Sequence, residues 1–193
     1  GGSLSSVDIL VALYFHVMRY NPSNPADPTR DRFVLSKGHS VECLYAILAK
    51  AGFFHESKLK EYGSFGTILY GHPTPKVPGV EIPSGSLGHG LSVGVGMALA
   101  AKRGGLSNRV FVLMGDGEQA EGSVWEAAMA AGHYHLDNLT AIIDANRLQI
   151  SGPVTKVMNS SPLGPKYEAF GWSVKEVDGH NMERLVQALD TLP

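Results

Sequence analysis

The sequence has a single cysteine, no apolar stretch long enough to span a bilayer, and no run of lysine and arginine. Each absence removes a class of protein. The one thiol, Cys43, cannot close an internal disulfide, and its neighbours Leu44 and Tyr45 mark it as a buried side chain rather than a nucleophile. The longest weakly polar stretch, Leu91 to Ala101, is about half a membrane span and is broken by glycine; the amino terminus lacks the charged and apolar pattern of a signal segment. A soluble, cytoplasmic chain without a membrane partner is expected. A net charge of −2 with no basic cluster leaves no electrostatic footprint for nucleic acid or an anionic surface. Internal repeats and low-complexity tracts are missing as well.

What is present is 193 residues with 44% apolar content, enough for one α/β domain, residues 1–193, with a sizeable core. Ser6 to Tyr20 shows apolar residues at helical spacing, opened by Asp8 and stopped by Asn21-Pro22. A polar connection then leads to a short strand, Arg32 to Leu35, that ends at Lys37-Gly38-His39. Helices are predicted at Val41 to Ala51 and Glu56 to Tyr62, followed by a long irregular loop from Gly63 to Pro83 of the kind that often carries function. Leu87 to Lys102 has Gly and Ala at helix-packing spacing, so a closely packed helix is expected there. Val110 to Met114 and Leu139 to Asp144 read as buried strands around a helix that begins near Glu121. A loop from Ser151 to Pro165, a helix over Lys166 to Phe170, a strand over Ser173 to Val177 and a helix over Met182 to Leu189 complete the pattern. The fold class is α/β, a parallel sheet with helices on both faces.

The most informative stretch is FVLMGDGEQAEG, followed by a small-residue helix and then IIDANRLQI. Asp116 sits at the carboxyl end of one strand and Asn146 just past the end of the next, the edge at which open α/β sheets bind ligands. Gly115 and Gly117 remove side chains beside the carboxylate, so backbone N–H groups can approach a phosphate closely. A helix start follows, near the same anion. Two hard oxygen ligands with room for phosphate oxygens and water suit magnesium, with calcium possible. The alternative is a plain turn in a βαβ unit.

Five of the eight histidines follow glycine: His39, His72, His89, His133 and His180. An imidazole that the backbone can bring close to a ligand is suited to proton exchange near neutral pH. His133 and His135 sit where a cation complements a helix carboxyl end, and His180 lies in a DGH turn; structural roles are expected for these three. His16 and His55 carry no motif.

The GDG triplet, with 28 intervening residues before Asn146, resembles the thiamine diphosphate signature of the transketolase superfamily. LSKGHS, YGHPTP, PSGSLGHGLSVGVGMALAAK and FGWSVKEVDGHN resemble transketolase segments in the same order, so the resemblance covers nearly the whole chain. It implies a thiamine diphosphate-binding fold and assigns roles. Asp116, Asn146 and the backbone carbonyl of Leu148 match metal ligands. His39 resembles a histidine beside the cofactor diphosphate and donor substrate, and His72 one that hydrogen-bonds substrate hydroxyls. Gly85 and Leu87 match residues that meet the aminopyrimidine and thiazolium, and Ile150 an apolar residue that keeps the cofactor bent; ordinary core packing is the alternative for Leu87 and Ile150. Glu121 resembles a carboxylate near a subunit interface, or simply an acid at a helix start. His89 stands where many transketolases have glutamine, which leaves its role open.

The resemblance implies ketol transfer from a ketose phosphate, or a related ketose such as a sulfo-sugar, to an aldose acceptor. The chain looks shorter than a complete transketolase and clipped at both ends. The family's catalytic glutamate belongs to a pyrimidine-binding domain absent from this sequence, as is an early Gly-His. The expected partner is therefore a separate pyrimidine-binding chain, as in split transketolases, in a dimer of heterodimers. Another thiamine diphosphate enzyme, such as a deoxyxylulose phosphate synthase or a keto-acid dehydrogenase component, and a non-catalytic interaction domain are the other readings.

Overall fold

A computed structural model describes residues 2–190. Three parallel strands, β1 (Arg32–Leu35), β2 (Val110–Gly115) and β3 (Leu139–Asp144), lie side by side in that order. Arg32 pairs with Val110 and Val110 with Leu139, so the strands start level and deliver their carboxyl ends to one edge. β2 is central and apolar throughout, and Val110 to Met114 are all fully buried. Such a run is what burial on both faces of a parallel sheet requires.

Alternate side chains serve opposite faces, as the two-residue strand period dictates. Phe33, Leu35, Phe111 and Leu113 join α1 (Val7–Ala12), α2 (Val41–Lys50) and α7 (Met182–Asp190) in one core. Val34, Val110, Val112 and Met114 join α3 (His89–Arg103) and α4 (Gly122–His133) in the other. The sheet is thus covered by helices on both faces, as expected. Gly94 explains how closely α3 sits: a Cβ there would lie 2.5 Å from Val112 Cγ2.

Several boundaries differ from the sequence expectation. The first helix is not one α-helix to Tyr20: a 3₁₀ turn at Leu4–Ser6 precedes α1, and a π-helical stretch at Leu13–Val17 ends it. Met18 is extended and donates its N–H to Leu13 O at 2.8 Å, while Arg19 N–H is drawn to Asp31 Oδ2 at 2.9 Å. That tertiary contact stops the helix before Asn21-Pro22 can. Glu56–Glu61 is 3₁₀; a small hairpin, β4 (Leu148–Gln149) with β5 (Gly152–Pro153), spans the start of the expected Ser151 loop, and a single turn, α5 (Val154–Val157), follows within it. The next helix, α6 (Gly164–Ala169), begins two residues earlier than expected because Pro165 occupies its first turn, where proline fits.

Ser173–Val177 is not a strand. Trp172 and Val174 pack against the second core, and this alternation mimics a strand pattern, but the described sheet consists only of β1, β2 and β3. Among the described residues no helix is long and apolar enough to cross a membrane.

Candidate active site

The carboxyl ends of all three sheet strands meet at one edge. β1 runs into Ser36-Lys37-Gly38-His39, β2 into the Asp116 turn, and β3 ends at Asp144, directly opposite Gly115 and two residues before Asn146. Parallel pairing alone produces this convergence.

Asp116 is buried, and both of its oxygens accept backbone N–H groups: Oδ1 from Gly117 at 2.8 Å and Oδ2 from Arg147 at 2.7 Å. The second bond tethers the loop after β3 to the loop after β2. Arg147 takes the left-handed conformation, with φ of 65°, to make the turn. Asn146 is held by its own loop, its Oδ1 accepting from Leu148 N–H at 2.9 Å and its Nδ2 donating to Ser5 Oγ at 3.3 Å. No group of three His, Cys, Asp or Glu side chains suited to a metal occurs among the described residues. Asp116 and Asn146 thus bring two oxygen-bearing side chains to the same edge of the sheet. Gly115 leaves open space beside the carboxylate as expected, whereas at Gly117 the space is taken: a Cβ would lie 2.9 Å from Gln149 Cγ. Gln149 Oε1 is itself buried with no hydrogen-bond partner, an orphaned acceptor next to the turn.

Leu148 and Ile150 lie at the β4–β5 hairpin and are exposed, Ile150 completely. The core-packing alternative for Ile150 thus fails within this chain. Leu87 is half-buried, and its carbonyl lies 3.2 Å from His89 Nδ1 on an exposed ring. Glu121 is exposed at the N-cap of α4, with its Cβ only 2.6 Å from where a side chain on Gly88 would begin.

His39 and His72 come from separate segments but lie within electrostatic reach of each other: partial burial first, then the charges of Lys37 and His72, hold the half-exposed His39 imidazole below its usual range. The His39 ring packs on Gly2, and His72 packs on Gly85, where a φ of 155° and a 3.0 Å approach to His72 Cδ2 would strain any side chain. A cavity of about 320 Å³ lies on the Gly85 segment, lined by Pro83 to Ser86 and by His89. His133 ends α4, His180 Nδ1 contacts Asp8 at 2.8 Å, His16 contacts Asp190, and His55 caps the 3₁₀ turn after it.

Sequence reasoning misses two buried charged groups at this edge. Lys37 Nζ lies 2.5 Å from Asp144 Oδ2 and also donates to Gly2 O and Ser6 Oγ, so the amino-terminal turn is pinned over the strand ends. Glu118, 2% exposed, accepts from Ser36 Oγ, Gly88 N–H and Gly115 N–H. A lysine following a buried strand and an acid directly after GDG were the available signals. A larger cavity, about 530 Å³, lies at the opposite end of the strands, but its cations are committed, Arg19 and Arg109 to Asp31 and Lys102 to Asp137.

Residues 1–192 match the family model described as "Transketolase, thiamine diphosphate binding domain". The chain is 53% identical to an apulose-4-phosphate transketolase subunit of Phocaeicola vulgatus, over all of this chain and 68% of that protein. It is 46% identical to a 6-deoxy-6-sulfo-D-fructose transketolase subunit of a Clostridium species, over 98% of this chain and 70% of that one. Among solved structures it is similar to the transketolase of Campylobacter jejuni, with a TM-score of 0.90 at 35% identity, over 95% of this chain but 30% of that one. With residues 1–192 matched by its model, this protein belongs to the transketolase family, in its thiamine diphosphate-binding domain.

Proposed function

We propose that the chain, as one domain over residues 1–193, is the diphosphate-binding part of a transketolase that moves a two-carbon ketol unit from a ketose phosphate to an aldose phosphate. The observation that carries the reading is the Arg147 N–H to Asp116 bond, which brings Asn146 and the β4–β5 hairpin to the edge occupied by His39. Asp116, Asn146 and the Leu148 carbonyl would hold magnesium, or calcium, with diphosphate oxygens completing the shell. Gly115, Gly117 and His39 would border the diphosphate, and Gly85 and Leu87 the two rings. The exposed Ile150 would pack on the bound cofactor and keep it bent, an orientation effect on the reaction. Thiamine diphosphate, when bound, supplies the nucleophilic carbon and the electron sink for breaking the carbon–carbon bond.

The protein's own part is binding and proton handling. His39, kept neutral near pH 7, can accept a proton from a donor hydroxyl at a ring nitrogen, and His72 beside it can hold the neighbouring hydroxyl. His39, Leu148 and Ile150 are exposed here, and chemistry of this kind needs water excluded. A pyrimidine-binding chain would supply that cover, with Glu121 near the contact and the assembly a dimer of heterodimers. The names of the relatives, which call them subunits, support a split enzyme, and their two sugars, one phosphorylated and one sulfonated, support a ketose donor with an anionic end.

Calorimetric titration of thiamine diphosphate with magnesium, with and without a co-expressed pyrimidine-domain chain, tests this. Binding that requires magnesium and disappears in Asp116→Ala is expected. Absence of binding in both arrangements would favour a non-catalytic interaction domain.

A further inference from the structure

The Glu118 side chain joins three segments that are far apart in sequence. Its Oε1 accepts the Ser36 hydroxyl, after β1, and the Gly88 N–H at 2.8 Å, at the start of α3; its Oε2 accepts the Gly115 N–H at 3.2 Å, at the end of β2. Ser36 Oγ in turn accepts the Gly90 N–H at 3.1 Å, so the turn before α3 is bound twice through the same pair of side chains. Neighbouring residues secure the same two turns: Gln119 Nε2 donates to Gly115 O at 3.0 Å, and Ser123 Oγ donates to Gly88 O at 2.9 Å. The backbone either side of Asp116 and the backbone around Gly88 are thereby held to one rigid frame.

We propose that Glu118 is a positioning residue that fixes the separation between the Gly115–Gly117 turn and the Gly85–Gly90 turn, so that both ends of one thiamine diphosphate molecule are met at once. The inference rests on the proposed function, in which the first turn borders the diphosphate and the second the rings. When two binding elements act on one ligand, their combined affinity depends on the spacing being right before the ligand arrives. A buried carboxylate with three hydrogen bonds is a stiff spacer, because releasing any donor leaves a buried N–H or O–H unsatisfied. Glu118 touches neither the substrate nor the reacting atoms. It acts through the two turns.

The test compares two probes on the full chain, with its partner present where the two co-purify: inorganic diphosphate with magnesium, which needs only the first turn, and thiamine diphosphate with magnesium, which needs both. Glu118→Gln preserves side-chain size but replaces one acceptor oxygen by a donor. It is expected to leave diphosphate affinity within about twofold of wild type and to weaken thiamine diphosphate by about tenfold or more, since only the two-point advantage is lost. Should that variant fail to fold by circular dichroism, Ser36→Ala removes one donor from the same carboxylate and should show the same split in smaller measure. Equal weakening of both probes would make Glu118 a prop of the diphosphate turn alone and overturn the inference. Unchanged affinity for both would also overturn it. Wild type that binds neither probe would defeat the cofactor reading, and this inference with it, a result distinct from either variant outcome.

Discussion

Lys37 and Asp144, 107 positions apart in sequence, form an ion pair of 2.5 Å with side chains exposed by only 1% and 5%. Asp144 Oδ2 also accepts from Ser5 Oγ at 2.6 Å and Ser6 Oγ at 3.3 Å, and Ser5 in turn accepts from Asn146. One carboxylate therefore binds the amino-terminal turn, the end of β1 and the end of β3 into a single support beneath the Asn146 loop.

Removing one partner of this pair should be costly. Lys37→Met leaves the Asp144 charge buried without compensation, and a loss of about 3–5 kcal/mol is expected by urea unfolding. The double variant Lys37→Met, Asp144→Leu should lose less than the sum of the two single changes, because the unpaired charge is then gone. Additive losses would show that the pair does not act as a unit.

Two glycines of α3 predict opposite outcomes. A Cβ on Gly94 would meet Val112 Cγ2 at 2.5 Å, so Gly94→Ala should push the helix off the sheet and cost about 1–3 kcal/mol. Gly96 is exposed with nothing within 4 Å of its Cβ position, so Gly96→Ala should add about 0.5–1 kcal/mol from helix propensity. Thermal melts of the two variants, run in parallel, separate close packing from backbone entropy.

β1, β2, β3 and the Asp116 and Asn146 turns are legible in the sequence because short apolar runs ending in glycine or polar residues are local signals. The parallel order of the strands then places those turns together without further information. What local pattern cannot carry is long-range pairing. Lys37 gives no sign of Asp144, and Glu118 reads as one more acid near a helix start until Ser36 and Gly88 are seen against it. The end of the first helix is hidden for the same reason, since Asp31 captures Arg19 from outside the segment. Ser173–Val177 misleads in the other direction, because alternation records burial of Trp172 and Val174, and burial is not a strand ladder.

Burial pushes the Cys43 thiol up to about 11, opposed in part by the Lys37 charge. The thiolate is the reactive form, so native protein at pH 8 should resist alkylation by iodoacetamide and become reactive only on unfolding. Prompt labelling of the folded chain would contradict the buried environment.

His39 and His180 should respond to pH in opposite directions. Partial burial, then Lys37 and His72, hold His39 below the ordinary 6.5, so protonating it is harder in the folded chain than in the unfolded one. The unfolded state then binds more protons between the two values, and the stability tied to His39 is complete above pH 6.5 and falls as pH drops below it. The hydrogen bond that the His180 ring donates to Asp8 raises His180 above 6.5, so its contribution is complete below pH 6.5 and is lost as pH rises through the folded value. Imidazole proton shifts followed by NMR should show the two midpoints on either side of the ordinary value. His72→Gln should move the His39 midpoint upward by removing one like charge, while Asp8→Asn should move His180 downward and leave His39 in place. A His39 midpoint unchanged by His72→Gln would separate the two rings electrically and remove the ground for assigning them to neighbouring hydroxyls of one substrate.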